Sequence, residues 1–139
     1  MIGALLLAVF LFLLSVGSHL LILNKGHQLL DQHSTLTLKL AIALLVLFSH
    51  LLVAAFFAAG FWLGETMGLG SFRQAPSMAV MDYFYFSLIN VTTLGLADIF
   101  PSGHLRFLAG VEALTGFVLI SCSAQLFWSM MKMKGDDSN

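Results

Sequence analysis

Three runs of apolar, almost uncharged residues, 2–23, 38–63 and 105–131, constrain this chain more than any other feature in it. A hydrocarbon core about 30 Å thick takes roughly 20 apolar residues per helical crossing, so each run is long enough to span. With 59% hydrophobic and 9% charged residues in 139, too little polar sequence remains for a separate soluble domain. The interval between the second and third runs is of another kind. Residues 80–92 read as a short aromatic-rich helix, and Thr93-Leu94-Gly95-Leu96-Ala97-Asp98 cannot continue it before the turn at Pro101 and Gly103. Irregular backbone at membrane depth is tolerated only where it is buried in protein or lines a water-filled cavity. The fold class expected is an all-α membrane protein with three transmembrane helices and one re-entrant helix and loop, and such a loop implies a pore.

Composition removes several other classes. A net charge of -1 without a basic cluster argues against nucleic acid. The single cysteine, Cys122, leaves no intrachain disulfide, and no metal spacing, phosphate-binding loop or nucleophile–base set stands out. The expectation is a protein that is no enzyme and takes no cofactor and no small-molecule substrate.

In chain order, residues 1–37 form an extra N-terminal helix and its link. Residues 38–132 form a pore domain (outer helix 38–63, pore helix and filter 80–98, inner helix 104–132), and 133–139 a short tail. The first run has an alternative reading as a signal peptide cleaved near Ser15-Val16-Gly17. No Lys or Arg precedes it and it continues through Leu20 to Leu23, which favours a retained helix. Residues 24–37 read as a polar link. His19 and His50 fall at membrane depth, where an ionisable group is either functional or hydrogen-bonded to a neighbouring helix. Ala54/Ala58, Ala55/Ala59 and Gly60/Gly64 are small pairs that admit another helix closely. Residues 65–76 read as a loop, Pro76-Ser77 as a helix start, and Asp82 falls in the first turn, at the positive end of the helix dipole. Trp62 suits an aromatic belt. Lys25, Lys39, Lys132 and Lys134 gather at one end if the spans alternate, against Arg73 and Arg106 at the other. The excess predicts an external amino terminus and a cytoplasmic carboxyl terminus.

The stretch YFSLINVTTLGLADIFPSGHLRFLAGVEALTG resembles the pore region of the potassium-channel superfamily, whose pattern runs approximately DAxYFSxxTxTTVGYGDxxP, then a turn, an Arg, and ExLxG. The matching positions are Asp82, Tyr85, Phe86, Ser87, Thr92, Thr93, Gly95, Asp98, Pro101, Arg106, Glu112, Leu114 and Gly116. The resemblance implies a homotetramer in the lipid bilayer, in which backbone oxygens replace an ion's hydration shell. Carried over, the ion-coordinating residues are Thr93, Leu94, Gly95 and Leu96, with potassium or sodium at the first three. Thr92, Ala97, Asp98, Phe86 and Glu112 support the filter. Gly116 is a candidate hinge, and Ile120, Ala124 and Trp128 share with Phe117 a face that lines the cavity. Trp128 is either a gate or an interfacial anchor, Asp98 a mouth charge or a tether, Glu112 a paired acid or a titrating gate, and His104 a proton sensor or a solvated side chain. The resemblance also implies a bacterial plasma membrane.

Two departures bear on selectivity. Leu96 stands where the family has Tyr, and Phe86 where its aromatic cuff often has Trp, which suggests an apolar contact in place of a hydrogen bond. Ala97 stands at a glycine position that the family holds left-handed, at a cost of about 1–2 kcal/mol per copy. The expectation is a cation pore that passes potassium and discriminates weakly against sodium. The alternative is a non-conducting relative that serves as a scaffold or companion subunit.

Overall fold

A computed structural model describes residues 1–32, 35–73, 78–95 and 99–132. The described elements are α1 (Ile2–Gln32), α2 (Leu36–Thr66), β1 (Phe72–Arg73), α3 (Val80–Val91), β2 (Phe100–Pro101) and α4 (Leu105–Lys132). Three of the helices, α1, α2 and α4, are long and apolar enough to cross a membrane. The chain is an all-α membrane protein with one two-stranded clip.

α1 departs from the sequence reading. The expected link at 24–37 is mostly helix, because nothing in NKGHQLLDQ breaks one and its apolar positions have somewhere to go. Leu23 and Leu30 bury against Ile42, Val46, Leu126 and Met130, and Gly26 lies against Ile42 and Leu126 side chains. At 1.5 Å per residue, a 31-residue α1 is about 46 Å long, well beyond the hydrocarbon thickness. α2 starts at Leu36, its first turn capped by the Thr35 hydroxyl, which accepts from Leu38 N at 3.3 Å. At its other end α2 runs three residues further than expected, to Thr66, so the loop read from 65 begins later.

The three long helices pack as a bundle in which α1 runs antiparallel to α2. Gly60 on α2 admits the side chain of Leu11, a contact that any β-carbon would block, and Gly64 admits Leu105 of α4. At the opposite end, the Lys39 ammonium donates to the Met130 carbonyl at 2.8 Å and so ties the start of α2 to the last turns of α4. A cation there also complements the negative end of α4.

α3 is only 12 residues long, about 18 Å, too short to cross a hydrocarbon core of about 30 Å. It lies between the upper halves of α2 and α4. The Asp82 carboxylate accepts from Ala79 N at 2.8 Å, which places the acid in the first turn where the sequence put it. Beside α3 a clip joins the approach to that helix with the segment that precedes α4: Phe72 pairs with Pro101 and Arg73 with Phe100, antiparallel. Ser102 N donates to Ser71 O at 2.8 Å and His104 N to Leu69 O at 2.8 Å. Phe61, Phe72 and Phe86 fill the wedge between α2, α3 and the clip in edge-to-face pairs with centroids 5.0 to 5.7 Å apart.

Candidate pore loop and its support

The loop that follows α3 begins with two residues of left-handed backbone, Thr93 (φ 61°) and Gly95 (φ 63°), with Leu94 between them. Positive φ at these two positions turns the chain out of the helical course of α3. For Gly95 the conformation is free; for a β-branched Thr93 it is strained and persists only where the surroundings enforce it. The enforcement is local. Thr93 N donates to Asn90 O at 2.9 Å, and the Thr92 hydroxyl donates to Ile89 O at 2.8 Å, closing the end of α3. Thr93, Leu94 and Gly95 are all exposed on the single chain. Leu96, Ala97 and Asp98 lie outside the described residues, and with them the contact expected between Leu96 and Phe86.

Behind the loop, Glu112 is completely buried at the centre of a polar cluster. Its carboxyl is hydrogen-bonded to the Ser87 hydroxyl, and its other oxygen accepts from Asn90 Nδ2 at 2.6 Å. Asn90 spends its second amide proton on Ala109 O at 2.8 Å. Ser87 also donates to Ala54 O at 2.7 Å, and a hydroxyl has one proton for these two acceptors. The bond between Ser87 and Glu112 is therefore completed by a proton on the carboxyl itself. With that proton every donor in the cluster has an acceptor, and α2, α3 and α4 are joined at one point.

Gly116 is where the end of α3 meets α4. A β-carbon there would collide with the Val91 carbonyl oxygen and lie 2.7 Å from its carbon. α4 is helical on both sides of Gly116, which seats the end of α3. Phe117, Ile120, Ala124 and Trp128 all lie exposed on α4, on the side opposite the buried Leu119, Ser123 and Leu126. Lys132 sits 5.7 Å over the Trp128 ring. Phe86 points into the bundle, against Phe61 and Phe72, and also borders the small hollow behind Gly95. His104 is exposed at the turn before α4.

Sequence reasoning missed several partners. Asn90 went unremarked, although a primary amide three residues after Ser87 in an apolar helix marks the same face. Tyr83 donates to the Glu65 carboxylate, which fixes α3 to the last turn of α2; burial, reinforced by Glu65, pushes the Tyr83 hydroxyl up to about 12 and keeps it a donor. On α4, Ser123 bonds His19.

A family model described as "Ion channel" matches residues 35–133. Comparison with curated proteins and with solved structures yields no match. The matched span starts at the cap of α2, so α1 lies outside it, as it lies outside the resemblance read from the motif.

Proposed function

The chain belongs to this ion channel family, and on that premise we propose that it is a homotetrameric cation channel passing potassium, and sodium with little discrimination, passively down their gradients. The ions would be coordinated by the Thr93 hydroxyl and by the carbonyls of Thr93, Leu94 and Gly95, continuing to Leu96. What carries the reading is the left-handed backbone at Thr93 and Gly95, immediately after a helix too short to cross a membrane. In the family the carbonyls of the loop at this place stand in for water. The carboxyl end of α3 adds a negative dipole end at the same level. Glu112, Ser87 and Asn90 hold α3 against α4 so that the loop has a fixed base. No covalent chemistry and no cofactor enters the scheme. The amino terminus would be outside and the carboxyl terminus in the cytoplasm of a bacterial plasma membrane, with Lys25, Lys39 and Lys132 at the cytoplasmic end.

Flux of potassium and sodium from proteoliposomes tests the reading. The expected result is passage of both ions, potassium faster, from a tetrameric preparation. A well-folded tetramer that passes neither would defeat it in favour of the companion-subunit alternative. The Ala97→Gly variant is expected to sharpen the preference for potassium and stabilise the tetramer; no change in either would remove the strain argument for weak selectivity.

A further inference from the structure

The buried junction of α1, α2 and α4 contains a second polar cluster, unconnected to the loop. His19 on α1 is fully buried, and so, to within a few per cent, are Ser15, Ser49 and Ser123. His19 Nδ1 lies 2.6 Å from the Ser49 hydroxyl on α2, and Nε2 lies 3.0 Å from the Ser123 hydroxyl on α4. Ser123 donates its own proton to Leu119 O at 3.0 Å, so Nε2 is the donor towards Ser123, and Ser49 donates to Nδ1. One imidazole thus joins the outer and inner helices through a helix that belongs to neither.

The ring of His50 stands edge-on to His19, with centroids 4.8 Å apart. Its Nδ1 lies 2.8 Å from Val46 O and must donate to that carbonyl, which leaves Nε2 as the acceptor nitrogen. That Nε2 is buried and has no partner among the described residues, and neither has the Ser15 hydroxyl one turn along α1 from His19. The groups facing the pair are Ser15 on α1, Ser49 on α2, and Ser123 with the Leu119 carbonyl on α4. Among the described residues no carboxylate contacts either ring. Glu112 lies about three turns away along α4, held by Ser87 and Asn90, and Lys39 is spent on Met130 at the far end of α2. Cys122, beside Ser123, packs into the apolar cluster of Leu23 and Leu126.

We infer that His19 is a positioning residue of the proposed pore, holding the inner helix in register with the outer helix through Ser123 and Ser49, and that His50 beside it makes this hold proton-labile. The inference rests on the channel reading only for its consequence in ion flow. A proton taken up from solvent forms an N–H bond with the open lone pair of His50 Nε2. It creates a cation beside a ring whose two nitrogens are already committed, with no anion to compensate. The relief available is for α1 to loosen from α2 and α4 so that water reaches the junction.

The test uses the full chain in lipid vesicles, with two readouts: cation flux, and hydrogen exchange of the α1 amides around His19. From about pH 8 to pH 5, the range in which histidines titrate, wild type is expected to change its flux by about fivefold or more, the lower end of ordinary coupling, while α1 exchange accelerates. His50→Leu should flatten both profiles. His19→Leu should show at neutral pH the flux that wild type reaches only in acid, and His19→Gln, whose amide offers both an acceptor and a donor, should restore the neutral value. A His50→Leu protein that titrates like wild type in both readouts overturns the inference, and so does a His19→Leu protein with wild-type flux. If no variant conducts yet α1 exchange still rises in acid only when His50 is present, the proton-labile hold stands and the channel reading falls.

Discussion

Glu112 and Thr93 show how far a single residue can be read before its neighbours are known. The motif singled out both, and it left Glu112 open between a paired acid and a titrating gate. The hydrogen bonds to Ser87 and Asn90 make it a paired acid that shares one proton with a serine. Glu112→Gln is therefore expected to cost less than about 1 kcal/mol, since the amide donates to Ser87 and accepts from Asn90 as the carboxyl does. Glu112→Leu leaves the Asn90 amide without an acceptor and the Ser87 oxygen without its donor in a dry site, and should cost about 2–4 kcal/mol. Thermal unfolding of the detergent-solubilised protein distinguishes the two, and a Gln variant as unstable as the Leu variant would remove the proton from the carboxyl. Strain, by contrast, was legible only in part. Family resemblance placed it at Ala97, which lies outside the described residues; among the described ones Thr93 carries it, where φ is 61°. Nothing in the residue type announces this, because a threonine becomes left-handed only through what holds the ends of its loop.

Among the elements, α3 and α4 fell close to the bounds expected for a pore helix and an inner helix, and α1 did not. α1 is apolar on every side for most of its length, so no polar face told where it would pack. Its buried stripe, Ala4, Ala8, Leu11, Ser15, His19, Leu23, Gly26 and Leu30, is marked instead by small and polar residues at steps of three and four. That signal was present, and it runs straight through the segment read as a link. The seat of α3 on α4 belongs to this scale too. Gly116→Ala puts a methyl group into the Val91 carbonyl, and is expected to cost about 1–3 kcal/mol as an overpacked contact, with the end of the pore helix displaced and conduction lost. If Gly116 served mainly as a hinge, the same variant would keep its melting temperature and change only opening and closing. Measuring unfolding and single-channel currents on one preparation decides between them.

At the scale of the whole molecule, the single chain leaves an apolar ridge on α4 with nothing against it. Leu114, Phe117, Ile120, Trp128 and Met131 are 44–68% exposed, while the opposite side of the same helix is sealed by α1 and α2. A membrane tolerates such a ridge against lipid, so exposure alone does not assign it to an assembly. Its position does more. It lies beside the exposed Thr93 and continues the groove of about 770 Å³ that Thr93, Gly110, Leu114 and Phe117 border, so a shared axis along the loop would bring four such ridges together. α1 packs on the other face of α4, where His19 and Gly26 tie it; in the proposed tetramer it would lie on the periphery, away from the loop. Cysteines make this measurable. In a Cys122→Ser background, Ala124→Cys on the ridge is expected to form disulfide-linked dimers readily in the membrane under mild oxidation, since copies near a four-fold axis approach within bonding distance. Leu13→Cys, on the exposed side of α1, should remain monomeric under the same treatment. Efficient linking at Leu13 with none at Ala124 would put α1 at the centre of the assembly and the loop at its rim, an arrangement in which Thr93 and Gly95 have no common axis to line.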